Sequence, residues 1–182
     1  MRVERLRLPE VVLLTPRRFG DDRGWFSETY NQRVLDEALG VSVRFVQDNH
    51  SRSAKGVLRG LHYQLAPHAQ GKLVRVLRGS VLDVAVDVRR SSATFGQWVV
   101  AELSEENQAQ LWIPAGFAHG FLSLAEGTEM LYKTTDFWAP AAERSIRWDD
   151  PALALPWPAG VEPRLAPKDA AAPLLDAAEV FG

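Results

Sequence analysis

The chain has 182 residues, 46% hydrophobic and 24% charged, a balance that excludes a wholly disordered chain. A formal charge of −2 excludes bulk attraction to nucleic acid or to an anionic membrane, and no apolar run approaches the roughly 18 residues of a membrane-crossing helix. Cysteine is absent and only His50, His62, His68 and His119 are histidine, which removes disulfides, thiolate nucleophiles and Cys-ligated zinc.

Met1–Glu10 alternates arginine with apolar residues and lacks the apolar core of a signal peptide, so the cytoplasm is the expected compartment. Val11–Leu14 reads as a short strand closed by Thr15-Pro16. The spacing of Val34, Leu35, Ala38 and Leu39 predicts a helix capped by Asn31 and ended by Gly40. Val43–Val46 reads as a strand. Leu73–Leu77 and Val81–Val88 flank Arg78-Gly79-Ser80, a hairpin signal. In the second of these, Leu82, Val84, Val86 and Val88 share one face. Val81, Asp83, Ala85 and Asp87 share the other, which is wetted or lines a polar cavity.

Strands continue at Gln97–Leu103, Ala109–Ile113, Gly120–Leu124 and Glu129–Thr135. Turn residues separate them at the spacing of an all-β sandwich or barrel. Prolines from Pro151 to Pro167 predict a loop wrapping the body, followed by a short helix within Asp169–Glu179. No repeat or linker divides the chain, so residues 1–182 are expected to form one domain.

Three segments carry chemistry. Ile113-Pro114-Ala115-Gly116-Phe117-Ala118-His119 is a Pro-x-Gly turn with a histidine just beyond it, and resembles the second motif of cupin jelly rolls. Gly56 to Gln64 resembles the first cupin motif, with Gly56 and His62 in place. Gln64 stands where that motif has a second histidine, and His68 and Ala69 stand where it has a glutamate. The fold signature is present and the metal triad is not, so no metal is expected. Strand alternation puts Gly60, His62 and Gln64 on one face and Arg59, Leu61 and Tyr63 on the other, unless a bulge intervenes. In the third segment, Gln70 to Val76, Lys72 follows Gly71, where a ligand can approach the backbone. Only four of the 21 basic residues are lysine, which makes Lys72 the more informative. His, Lys and Arg together inside a barrel need anionic partners, which a charged ligand supplies.

Asp22 to Glu28, Gln47 to Ser51, Gly56 to Gln64, Gln70 to Lys72, Pro114 to Phe121, Leu131 to Asp136, Ala139 to Trp148 and Lys168 to Ala170 occur in this order. Together they resemble the dTDP-4-dehydrorhamnose 3,5-epimerase family over about residues 3–178. The resemblance implies an all-β, double-stranded β-helix (cupin-like jelly roll). It also implies cofactor-independent epimerisation at C3 and C5 of a dTDP-4-dehydro-6-deoxy sugar.

Such a reaction needs a base, an acid on the opposite face and a group to hold the enolate. By resemblance His62 is the base, Asp169 its partner, Tyr132 the acid and Lys72 the enolate stabiliser. An imidazole of ordinary pKa about 6.5 can accept a proton near neutrality, and a phenol of pKa about 10 can return one. Arg23, Arg59 and Lys168 match diphosphate contacts, for which a planar guanidinium is suited. Glu28, Gln47 and Asn49 match residues that read the nucleotide, with Phe26 packed against it. His119 and Glu143 match other positions in the substrate pocket. Phe137 and Trp138 replace two tyrosines found in many relatives, and Trp138 keeps a ring that can stack on the base. A homodimer is implied, with Arg23, Phe26 and Glu28 serving the neighbouring pocket. An epimerase acting at one carbon, a metal-dependent cupin enzyme and a non-catalytic sugar-nucleotide binder are the competing readings.

Overall fold

The computed structural model describes all 182 residues. Thirteen strands and two short helices follow one another along the chain. Strands β1 (Arg2–Arg5), β2 (Val12–Thr15), β5 (Gln47–Ser53), β7 (Lys72–Arg78), β10 (Gln110–Ile113) and β12 (Thr128–Thr134) form a six-stranded sheet in the order β1-β2-β10-β7-β12-β5. Strands β6 (Leu58–Gln64), β8 (Ser80–Asp87), β9 (Trp98–Ser104), β11 (Phe117–Ser123) and β13 (Glu143–Ser145) form a second sheet in the order β13-β6-β11-β8-β9. All pairings within the sheets are antiparallel. The two sheets face each other as the jelly roll implied by the sequence. Strands β3 (Arg18–Asp21) and β4 (Gly24–Ser27) form a separate hairpin. No helix is long and apolar enough to cross a membrane.

Period-2 alternation decides what lies between the sheets. Val74 and Val76 of β7, Met130 of β12, Leu111 and Ile113 of β10 meet Val81, Ala85, Val99, Leu103, Phe117 and Phe121 of the other sheet in one dry cluster. Each fully buried aliphatic side chain of this kind contributes about 1.5–3 kcal/mol. The outer faces are covered too. Val84, Val86 and Val88 pack under Leu153, Leu175 and Ala178 of the tail. Val12, Leu14 and Trp112 pack under Leu35 of helix α1 (Gln32–Leu39). Asn31 caps α1 as expected, accepting from Arg33 and Val34, and Gly40 ends it at φ +73°.

Several expectations are corrected. Leu73–Leu77 and Val81–Val88 do not pair as a hairpin. They belong to opposite sheets, and Gly79, at φ +76°, carries the chain between them. Val43–Val46 is not a strand, because Val43 and Phe45 pack on the cluster beneath α1 instead of joining a ladder. Asp169–Glu179 is not a helix. Helix α2 covers only Pro167–Ala170, and beyond Pro173 the chain lays Leu175 and Ala178 against the second sheet. At Gly71 the structure shows a packing reason for glycine: a Cβ there would meet the Trp112 ring at 2.6 Å.

The β6–β11 ladder contains the feature that shapes the interior. His62 pairs with His119 and Arg59 with Phe121, so Gly60 and Leu61 stand opposite Gly120 alone. The extra residue turns Arg59 onto the face of His62, away from simple alternation. Gly60 adopts φ +130°, and a Cβ there would stand 2.5 Å from the Gly120 α-carbon. A Cβ on Gly120 would lie 2.7 Å from Leu61 Cδ2 and 2.9 Å from the Arg59 carbonyl oxygen. Gly120→Ala is therefore expected to cost about 1–3 kcal/mol through overpacking and to lower the melting temperature by several degrees, at about 2–4 °C per kcal/mol. Calorimetry showing an unchanged melting temperature would contradict this packing.

Candidate active site

The apolar cluster fills one side of the space between the sheets. On the side of β5, β6 and β13 the inward rows turn polar, and a cavity of about 650 Å³ opens there. Gln47, Asn49 and Ser51 of β5, Lys72 of β7, and Tyr132 and Thr134 of β12 form one wall. Arg59, His62 and Gln64 of β6, His119 of β11 and Glu143 of β13 form the other. Trp138 and the segment from Arg164 to Asp169 complete the rim. Eleven of the predicted site residues thus meet in one cavity, while Arg23, Phe26 and Glu28 do not. They lie on or beside the β3–β4 hairpin, where Arg23 pairs with Asp21 at 2.5 Å and Glu28 accepts from Asn31. Phe26 is 68% exposed.

His62 and Asp169 form a dyad at 2.6 Å. The carboxylate is buried, and its second oxygen accepts the Gly60 backbone N–H at 3.4 Å. Burial alone raises the Asp169 pKa, but the hydrogen bonds from His62 and Gly60 and the nearby positive charges outweigh it and hold the group below the usual carboxylate range. An ionised carboxylate only accepts, so this contact keeps a proton on His62 Nε2 and leaves the other ring nitrogen as the acceptor.

His119 makes a second dyad, with Nε2 at 3.0 Å from both oxygens of Asp83. Asp83 is fully buried. Burial pushes its carboxyl up, opposed by His119 and by Lys72. The inner face of β8 is not the wetted or cavity-lining face that its alternation suggested: Val81 and Ala85 enter the dry cluster, and Asp83 meets the cavity only through His119. Asp87 on the same face is instead a structural ion pair with Arg89 at 2.7 Å.

Lys72 donates to the His62 carbonyl at 3.2 Å. Burial lowers its pKa to about 8, with Glu143 and Asp83 opposing. On the same wall, burial raises the Tyr132 phenol above its ordinary value, Arg59 opposes and Glu143 adds to the rise. The phenol is protonated at neutral pH.

The polar rim is organised by side chain–backbone bonds. Gln47 accepts the Trp138 N–H at 3.1 Å and donates to Asn49 at 3.0 Å. Lys168 reaches both oxygens of Glu143 at 3.1 and 3.2 Å. Arg59 donates to Ser53 Oγ and to the Arg52 carbonyl.

The donors do not fit a cupin metal centre. Gln64 is committed to the backbone, donating to His68 and Phe137 carbonyls and accepting the Ala139 N–H. His62 and His119 are each bound to a carboxylate, and no group of three or more His, Asp or Glu side chains is placed to hold an ion. His50 and His68 pair with Glu129 and Asp136 outside the cavity. Sequence reading did not identify Asp83 or Arg164 as site residues. For Asp83 the signal was an acid on the inner face of a strand; for Arg164, inside the proline-rich loop, there was none.

Residues 5–177 match the family described as dTDP-4-dehydrorhamnose 3,5-epimerase. The chain is 63% identical over 169 residues to the dTDP-4-dehydrorhamnose 3,5-epimerase of Pseudomonas aeruginosa, covering 93% of each chain. It is 56% identical over 178 residues to that of Salmonella typhimurium, covering 98% of this chain and 97% of the relative. Among solved structures it is similar to the dTDP-6-deoxy-D-glucose-3,5-epimerase of Legionella pneumophila in complex with dTDP-4-keto-L-rhamnose. The TM-score is 0.93 at 52% identity, covering 97% of this chain and 93% of that one.

The electrostatics are open to direct reading, because only Lys55, Lys72, Lys133 and Lys168 contribute lysine signals. Nitrogen-15 NMR of the labelled side chains should show Lys72 titrating near pH 8. Asp83→Asn should move that midpoint lower by removing a buried counter-charge that favours the ammonium. Four lysines all titrating at their ordinary value would contradict the buried site.

Proposed function

The chain belongs to the dTDP-4-dehydrorhamnose 3,5-epimerase family, and from that membership we infer both its reaction and the residues that carry it. It epimerises C3 and C5 of dTDP-4-dehydro-6-deoxy-D-glucose and yields dTDP-4-dehydro-L-rhamnose. Both carbons neighbour the C4 ketone, so one chemistry serves both. A base removes the proton, the electron pair moves into the C4 oxygen as an enolate, and a proton returns to the carbon from the opposite side.

One observation supports this reading: His62 and Tyr132 stand on opposite walls of the cavity. His62 belongs to the five-stranded sheet and Tyr132 to the six-stranded sheet. His62 accepts the C–H proton on its free ring nitrogen, and Asp169 stabilises the imidazolium that forms. The Lys72 ammonium stands beside the developing oxyanion, in a buried setting where its charge acts strongly. Tyr132 delivers its proton to the other face. His62 has then gained a proton and Tyr132 has lost one, so both exchange with solvent before the next inversion. Every step is a proton transfer, which needs neither a redox group nor a metal.

The nucleotide half of the substrate meets the rim. Arg59 and Lys168 supply positive charge for the diphosphate. The exposed Trp138 ring offers a stacking face for the base, with Gln47 and Asn49 for its polar edges. His119 and Glu143 complete the sugar pocket. Arg23, Phe26 and Glu28 enter the reading through a homodimer. The β3–β4 hairpin leaves Phe19, Trp25 and Phe26 between 51 and 68% exposed. Adjacent exposed aromatics of this kind favour a partner surface, and a second copy would receive the three residues in its cavity. Residues 1–182 act as one epimerase domain, and a nucleotide-activated sugar as substrate implies the cytoplasm.

The assignment of base and acid is tested by two variants. His62→Ala should lower both turnover and solvent hydrogen exchange into the substrate by at least about 10²–10⁴-fold. Tyr132→Phe should retain exchange from the His62 side and lose formation of the inverted product. Wild-type turnover in the first variant, or unimpaired product formation in the second, would remove that residue from its role.

A further inference from the structure

Arg164 stands in the cavity without an assigned task. It lies in the loop that precedes α2, yet its backbone is held firmly. Its N–H donates to the Gly56 carbonyl at 2.8 Å, and its carbonyl accepts the Leu58 N–H at 3.1 Å. These two bonds form a parallel bridge to Val57. Arg59 lies two residues beyond Val57, on the same lining surface. The loop thus brings a second arginine into the lining of the cavity, beside the start of the strand that carries Arg59.

The other cations of the cavity are engaged within the chain. Lys168 is held by both oxygens of Glu143, and Lys72 by the His62 carbonyl. Arg59 is tied to Ser53 and Arg52. The Arg164 guanidinium makes no ion pair and no hydrogen bond to the protein. The charge balance gives this weight. Arg164 is one of four cations that line the cavity, with Arg59, Lys72 and Lys168, against two lining carboxylates, Glu143 and Asp169. Arg164 raises the excess of lining cations over lining carboxylates from one to two. An anion with several oxygens suits a lining that carries two arginines, since each guanidinium can donate to it.

We propose that Arg164 is a diphosphate anchor that works with Arg59 to hold the nucleoside-diphosphate part of the substrate. The proposal rests on the reading of the cavity as a dTDP-sugar site and names a residue of that site which no motif marks. Because the α2 loop also carries Asp169, the partner of His62, diphosphate binding at Arg164 fixes the same segment that orients the base. Arg164 is a positioning residue and takes no part in proton transfer.

Titration with dTDP tests this. Arg164→Gln should weaken dTDP binding roughly tenfold, as loss of a charge-assisted contact does, and flatten its dependence on salt. The KM for the dTDP-sugar should rise by a similar factor, with the larger part of the loss in KM and the smaller in kcat. The melting temperature should stay within a degree of wild type, and Arg164→Lys should recover most of the affinity. Wild-type dTDP affinity in Arg164→Gln would overturn the proposal. So would a weakened affinity that accompanies a lowered melting temperature and is not rescued by lysine, since the role would then be structural. A wild-type protein that fails to bind dTDP would overturn the reading of the cavity itself.

Discussion

The 2.6 Å contact between His62 and Asp169 joins residues 107 positions apart and sets the terms for the rest of the site. A histidine on a central strand can act as a base only if one ring nitrogen is fixed as donor and the imidazolium has a counter-charge. The carboxylate that provides both comes from a tail that has already wrapped around the second sheet. The tail is held by Leu175 and Ala178 in the outer cluster and by the Asp150 carboxylate, which accepts the Leu175 N–H at 2.7 Å. Tertiary packing far from the cavity therefore positions the dyad. The carboxylate bears a burial cost that its hydrogen bonds outweigh, an arrangement that stays favourable only while each partner is in place.

The jelly roll suits this chemistry because of how its interior divides. The same alternation that sends Val74 and Val76 into the dry cluster sends Lys72 into the cavity, and the row that carries Met130 continues to Tyr132. His62 and Tyr132 stand on different sheets and face the cavity from opposite walls. The dry half gives the walls rigidity, and the polar half remains open at the sheet edges. Burial then tunes the groups in opposite senses. It brings the Lys72 ammonium closer to neutrality, at about 8, and makes the Tyr132 phenol harder to ionise. A lysine near its midpoint is held charged by Glu143 and Asp83, which gives the second dyad a purpose beyond orienting His119.

Much of this was legible in the chain. The helix at Gln32–Leu39 was readable because its caps and its apolar stripe agree. The strands from β7 to β12 were readable from apolar alternation and turn residues. The eleven cavity residues were found through the family resemblance that short motifs in order carry. What was missed depends on contacts that local sequence does not encode. Gly79 looks like a hairpin turn, but whether two strands pair or part is decided by their partners in other sheets. Val43 and Phe45 have strand composition and find burial under a helix instead. The β6 bulge requires the near contact of Gly60 with Gly120, which pattern cannot show. Ala170–Ala178 has helical composition, interrupted at Pro173, and packing against the second sheet prevails.

The central claim is that Asp169 acts through His62, and a single isotope experiment isolates it. The dTDP-4-dehydro-6-deoxy sugar would be incubated in deuterated water with wild-type protein and with Asp169→Asn, and C3 and C5 followed by NMR. The amide keeps the shape of the side chain and removes the charge that stabilises the imidazolium. Wild-type protein should place deuterium at both carbons with inversion, and the variant should exchange at least about a hundredfold more slowly at both. Exchange by Asp169→Asn at the wild-type rate would contradict the account.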